Sequence, residues 1–169
     1  MRAALLLTAL VTDGSGRRLP PGSIDRIVID KSDHELVAFD GGGGVVLRFS
    51  VAIGSGGNGP KRVEGDGRTP EGVYRIDSRH RSRPFHRFLH VSYPNAADRA
   101  AFRRGLRDGT IPRGARIGGD IGIHGAPRGP LGTFHKAVDW TAGCIAVDDE
   151  EIEELFAAVR PNAEVEVRP

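Results

Sequence analysis

Apolar and polar positions alternate through much of the first third of the chain. Ile24, Ile27 and Ile29 form one run, Leu36, Val37 and Phe39 a second, and Val45, Val46, Leu47, Phe49, Val51 and Ile53 a third. These runs are rich in β-branched and aromatic residues, and Asp40 with Gly41–Gly44 separates the last two. The pattern predicts a β-meander over 24–53 with a glycine-rich hairpin turn. His34, in the SDHEL stretch, falls in the turn between the first two runs and is expected to be solvated.

Residues 54–72, GSGGNGPKRVEGDGRTPEG, break the alternation. The opening GSGGNG has the spacing of a dinucleotide-binding glycine motif. That motif needs a helix beginning at its last glycine, and here Pro60, Lys61 and Arg62 follow with no helical pattern. The stretch is therefore predicted to be a loop, with Asp66, Arg68 and Thr69 pinning it. Beyond it the alternation returns at 72–77 and briefly at 89–92, while the basic RHRSRPFHR of 79–87 is expected to be a solvated loop. Asn95 is a plausible cap for a helix over 96–106, and Ile121–Ile123 make a short apolar strand. Acids at 148–151 followed by Ile152, Leu155, Phe156 and Val159 give the strongest helix signal. Glu164–Val167 closes as a strand. The fold class is mainly β with two or three short helices.

Composition narrows the chemistry. The chain has 169 residues, 24 glycines, 11 prolines, one cysteine and a net charge of +2. That length suits one domain with its own core, assigned to 21–169 after a tail over 1–20. Ala3–Val11 within the tail resembles a short secretory segment but is too brief to span a bilayer. No membrane span is expected, and the modest charge is no nucleic-acid footprint. One cysteine excludes an internal disulfide and a cysteine-rich zinc site. No metal or cofactor is expected.

Cys144, in DWTAGCIAV, is either a packed thiol or a nucleophile. A nucleophile needs a base, usually histidine, and N–H groups facing the developing oxyanion. Gly143 beside it makes the second geometrically easy. Of the six histidines, His124 ends an apolar strand and precedes Gly125, which makes it the candidate base.

IHG (123–125) followed by TAGC (141–144) resembles the catalytic motif of the L,D-transpeptidase (YkuD-type) family. GDGRTPEGVYRID (65–77), HVSYPNAADRA (90–100) and DWTAGCIAV (139–147) resemble its YafK-like branch. The resemblance implies a β-sandwich or barrel-like catalytic fold. It implies Cys144 as nucleophile and His124 as base, acting at the L-centre of diaminopimelate in peptidoglycan stem peptides through a thioester. Gly143, Thr141 and Asp139 are expected to support the site; Asp139 either holds the imidazole as a third member or is an exposed turn carboxylate. His90, Tyr93, Trp140 and Gly125 are expected to face substrate. Two positions depart from the wider family. Ala142 stands where a histidine is common, and Ala146 where arginine or asparagine is common. A hydrolase releasing peptides or peptidoglycan-linked proteins, and a non-catalytic peptidoglycan-binding module, are therefore alternatives. A periplasmic or cell-envelope location follows from the same resemblance.

Overall fold

The alternating first third forms three antiparallel strands: β1 (Ile24–Asp30), β2 (Glu35–Phe39) and β3 (Val45–Ser50). This is a computed structural model describing residues 19–169. Ile27 faces Ala38, Ile29 faces Leu36, and Leu36 faces the partly buried Phe49 across the ladders, which lines up the core side chains. The remaining strands are β4 (Gly72–Ser82), β5 (His86–Val91), β6 (Gly122–His124), β7 (Ile145–Ala146) and β8 (Val159–Arg168). They form one eight-stranded sheet in the order β3-β2-β1-β8-β4-β5-β6-β7. β8 lies at its centre, parallel to β1 and antiparallel to β4, so Ile27 and Tyr74 both flank Val165.

The sheet curls until its ends meet. After β3 the chain reaches the outer edge of β7, where Ala52 and Ala146 exchange two backbone hydrogen bonds of 3.0 and 2.8 Å. Thr141 N–H donates to Ile53 O at 3.2 Å, and Ser55 N–H to Thr141 O at 3.0 Å. The barrel-like expectation is met.

Among the described residues there are two α-helices. α1 (Ala96–Asp108) starts from the expected cap Asn95, which accepts from Asp98 N–H while the Asp98 carboxylate accepts from Asn95 N–H. α2 (Asp149–Ala158) has the same reciprocal arrangement between Asp148 and Glu151, buries Ile152, Leu155 and Ala158, and packs on β5 and β6. Such caps satisfy N–H groups that a helix start otherwise leaves open.

The basic 79–87 stretch is a correction. It is not a loop but the end of the β4–β5 hairpin, with His80 opposite Phe88 and Arg81 opposite Arg87. Exposed residues occupy both faces of β4 from Asp77 to Arg81, so no alternation marks it. The backbone ladder sets its conformation instead, and Arg79 and Arg87 lie over the Phe156 ring at 5.3 and 4.7 Å. The tail expectation falls mainly on residues 1–18, outside the described residues. Leu19 is buried in the core and so belongs to the packed domain. Among the described residues no helix is long and apolar enough to cross a membrane.

The glycine-rich loop has a packing explanation. A Cβ on Gly54 would lie 2.1 Å from Gly67 O, and one on Gly56 2.1 Å from Asp66 O. The two arms of the loop thus run backbone against backbone, a separation only glycine permits. Asp66 accepts from the N–H groups of Arg62, Val63 and Arg68 and from Lys61 Nζ, while Thr69 Oγ1 accepts from Gly54 N–H. Asp66, Arg68 and Thr69 do pin the loop.

Candidate active site

Strand register brings the candidate nucleophile and base together. β6 and β7 are parallel, with Ile123 opposite Ile145 and His124 opposite Ala146. Continuing that register places Cys144 beside Gly122, and alternate strand residues share a face. His124 and Cys144 therefore stand diagonally on one face, with Cα positions ~8 Å apart from strand spacing and rise. The sulfur lies against β6 and the segment before it. Its S–H donates to Asp120 O at 3.5 Å, and the Gly122 N–H is directed at it.

Burial pushes the Cys144 thiol up; Gly122 N–H and Lys61 oppose that rise, and Asp120 adds to it. The resting sulfur is thus a protonated thiol that needs a base.

His124 is built to be that base. Its Nδ1 lies 2.8 Å from Gly125 O, and a carbonyl only accepts, so Nδ1 carries the proton and Nε2 keeps a free lone pair. The ring is 1% exposed. Phe85 stacks on it at 4.2 Å between centroids, Phe88 at 5.9 Å, and Trp140 stands edge-on at 5.8 Å. Burial lowers its pKa to about 4, against a favourable contribution from Gly125 O, with His135 a smaller lowering influence. At neutral pH the imidazole is uncharged and able to accept a proton.

Other predicted residues fall into distinct places. Gly125 is needed for close packing, since a Cβ there would lie 2.3 Å from Asp149 Oδ1 and 2.9 Å from Phe85 O. Trp140 borders the imidazole. His90 lies opposite Gly122 on the same face as His124, with Nδ1 donating to Asp77 at 2.6 Å. Tyr93 is buried, and its hydroxyl donates to Ile117 O at 3.2 Å, bracing the segment that leads to Asp120. Burial raises that phenol above its ordinary range.

Asp139 requires a correction. Its carboxylate accepts from His34 Nε2 at 3.1 Å and from Ile53 N–H at 3.0 Å. The partner of the His124 imidazole is the Gly125 carbonyl instead. His34, expected to be solvated, thereby ties the β1–β2 turn to the strand leading to Cys144.

Thr141 shapes the nucleophile turn. Its hydroxyl donates to Cys144 O at 2.7 Å and accepts from Gly143 N–H at 3.1 Å. The Gly143 N–H is thereby committed and not open to an oxyanion. Gly143 has φ +133°, and a Cβ there would meet Arg68 O at 2.7 Å, so glycine is required for both conformation and space. Among the described residues no hydrogen bond uses the Cys144 N–H, which leaves it the available oxyanion donor. Thr141→Val keeps the shape and removes both hydroxyl bonds. We expect it to lower stability by about 1–3 kcal/mol in urea melts, the cost of stranding buried polar partners.

A groove of about 490 Å³ is lined by Lys61, Glu64, Arg116, Gly118, Asp120 and Ala142; of these, Asp120 meets the thiol, through its backbone carbonyl. Among the described residues no group of three or more histidine, cysteine, aspartate or glutamate side chains is arranged to hold a metal.

This geometry coincides with a family match. The model of YkuD, the L,D-transpeptidase catalytic domain, matches residues 24–167. The chain belongs to this family. A search of the curated proteins finds no match. Among solved structures, the YkuD domain resembles the helical cell shape determining protein Pgp2 from Campylobacter jejuni, with TM-score 0.61 and 23% identity over 88% of this chain and 50% of that one. An L,D-transpeptidase from Xylanimonas cellulosilytica aligns with TM-score 0.53 and 17% identity over 91% and 66%. An Enterococcus faecium L,D-transpeptidase aligns with TM-score 0.55 and 16% identity over 86% and 50%. These likenesses show the fold. The chain spans half to two thirds of the length of these solved chains.

Sequence reasoning missed several parts of the YkuD site. Phe85 and Phe88 lie in or beside the stretch read as a loop. Asp120 and Gly122 precede the IHG motif and carry no signal of their own, except that a Cβ on Gly122 would strike the Phe88 ring at 2.3 Å.

Proposed function

We propose that this chain is a cysteine-dependent acyl-transfer enzyme acting on peptidoglycan stem peptides in the cell envelope. The observation that carries the reading is the placement of Cys144 and His124 on one sheet face, with the His124 Nδ1–H fixed on Gly125 and Nε2 free. Family membership supplies the substrate class.

The chemistry follows from the protonation states. Cys144 sulfur attacks the carbonyl carbon of the peptide bond as its proton passes to His124 Nε2. The Cys144 N–H stabilises the oxyanion. The C–N bond breaks, the departing amine takes the proton from His124, and a thioester remains. An amine then attacks the thioester to complete transpeptidation, or water attacks to give hydrolysis; each returns the proton to sulfur.

The exposed Ala142, where a histidine is common in the wider family, favours keeping hydrolysis as the second reading. In that form the enzyme trims stems or releases a peptidoglycan-linked protein. Mass spectrometry of muropeptides incubated with the protein separates the two: crosslinked products support the transferase, and shortened stems alone support the hydrolase. A carbapenem is expected to acylate the wild type and leave Cys144→Ala unmodified. Muropeptide binding without acylation or turnover would overturn both enzymatic readings.

A pH profile tests the proton bookkeeping. With burial holding the thiol up and His124 neutral, alkylation of Cys144 by iodoacetamide should keep rising past pH 8. A plateau near pH 6 would instead indicate a stable thiolate–imidazolium pair.

A further inference from the structure

The groove beside the thiol contains one unbalanced charge. Lys61 Nζ is held by Asp66 at 2.8 Å, and Arg116 Nε by Glu64 at 2.9 Å. Among the described residues the Asp120 carboxylate takes part in no ion pair or side-chain hydrogen bond, although Asp120 lines the groove at its thiol end. Lys61 and Asp120 both act on Cys144, with opposite signs, and Asp120 disfavours its ionisation. A carboxylate here works against the nucleophile unless it does something for the substrate.

We infer that Asp120 is a specificity residue that receives a cationic amino group of the substrate, seating an ammonium in the part of the groove next to the thiol. Lys61 and Arg116 are already paired, so the unmatched charge of the groove is the Asp120 carboxylate, and a primary ammonium is the group that complements it. Ala142, exposed in the same lining, contributes only a methyl group there. This inference rests on the proposed function, because it takes the reacting carbonyl to lie at Cys144.

Asp120→Asn is the informative variant. Asp120 has φ +54°, and asparagine tolerates that region as aspartate does, so the backbone need not change. The first measurement is binding to the acylation-dead Cys144→Ala protein, using a stem tetrapeptide with a free side-chain amine and its side-chain N-acetylated form. The free-amine form should bind about tenfold or more tightly, and adding Asp120→Asn should bring the two within about twofold of each other, the range of a lost charge-assisted contact. The second measurement uses iodoacetamide, which is neutral. At pH 7.5 the Asp120→Asn protein should be alkylated faster than wild type, because the opposing charge beside sulfur is gone. Opposite effects on the cationic peptide and the neutral reagent are the signature of this role.

Equal binding of the two peptides by the Cys144→Ala protein would overturn the inference. So would an unchanged preference after Asp120→Asn, or an equal loss of affinity for both forms, which marks a structural role. Failure of wild-type turnover with the binding preference intact would count against the catalytic reading and leave the Asp120 assignment standing.

Discussion

His124→Gln is expected to lose about 10²–10⁴-fold in turnover, the usual contribution of a positioned general base. The amide fills part of the aromatic box formed by Phe85, Phe88 and Trp140 but accepts no proton from sulfur. A second effect identifies the imidazole as the cause. The folded pKa of His124 is about 4, below the unfolded value of about 6.5. As pH falls through that window, the unfolded chain binds a proton that the folded one does not, so stability declines with acid. The full shift corresponds to about 3 kcal/mol, lost between about pH 6.5 and 4. Urea melts at pH 7.5 and 4.5 should therefore show a smaller acid-induced loss in His124→Gln than in wild type. An identical loss in both would mean that the imidazole titrates freely in solvent.

Gly54→Ala is expected to cost several kcal/mol, on the order of 3 or more, and to inactivate the site along with the fold. The obstruction at 2.1 Å is a backbone carbonyl, which cannot rotate aside as a side chain would. Relief requires the 54–56 and 66–68 arms to part. That breaks the Gly54 N–H bond to Thr69 and pulls on Ser55, whose N–H holds Thr141 O. Gly119→Ala is the control, because its Cβ would meet no atom within 4 Å. Its urea midpoint should match wild type, while that of Gly54→Ala falls; equal midpoints for the two would show that the arms can separate freely.

Legibility in the sequence followed local pattern. β1 to β3 could be read because their runs are rich in β-branched and aromatic residues broken by turn residues, and Ile27–Ile29 and Leu36–Ala38 are buried throughout. α2 could be read because acids precede an i, i+3, i+4 apolar set. The β4–β5 hairpin could not, since the β4 positions around Arg79 are exposed on both faces and only backbone pairing defines them. β6 and β7, of three and two residues, are too short for any period. Their place was found from the letters around His124 and Cys144. The Asp139–His34 pair and the Phe85–His124 stack join residues far apart in sequence, and no local pattern encodes such meetings. Asp139 was misassigned for that reason.

The seam between Ala52 and Ala146 carries a consequence for how the protein matures. Its partners are separated by more than half the chain, and contacts of such long range are expected to form late in folding because loop-closure entropy opposes them. The strand that follows the thiol is anchored on one side by β6 and on the other only by this seam. A chain that has collapsed but not yet zipped shut would carry a thiol without its fixed turn or its aligned imidazole. Catalytic competence, as distinct from the chemical reactivity of a bare thiol, is thus expected only once the barrel is complete.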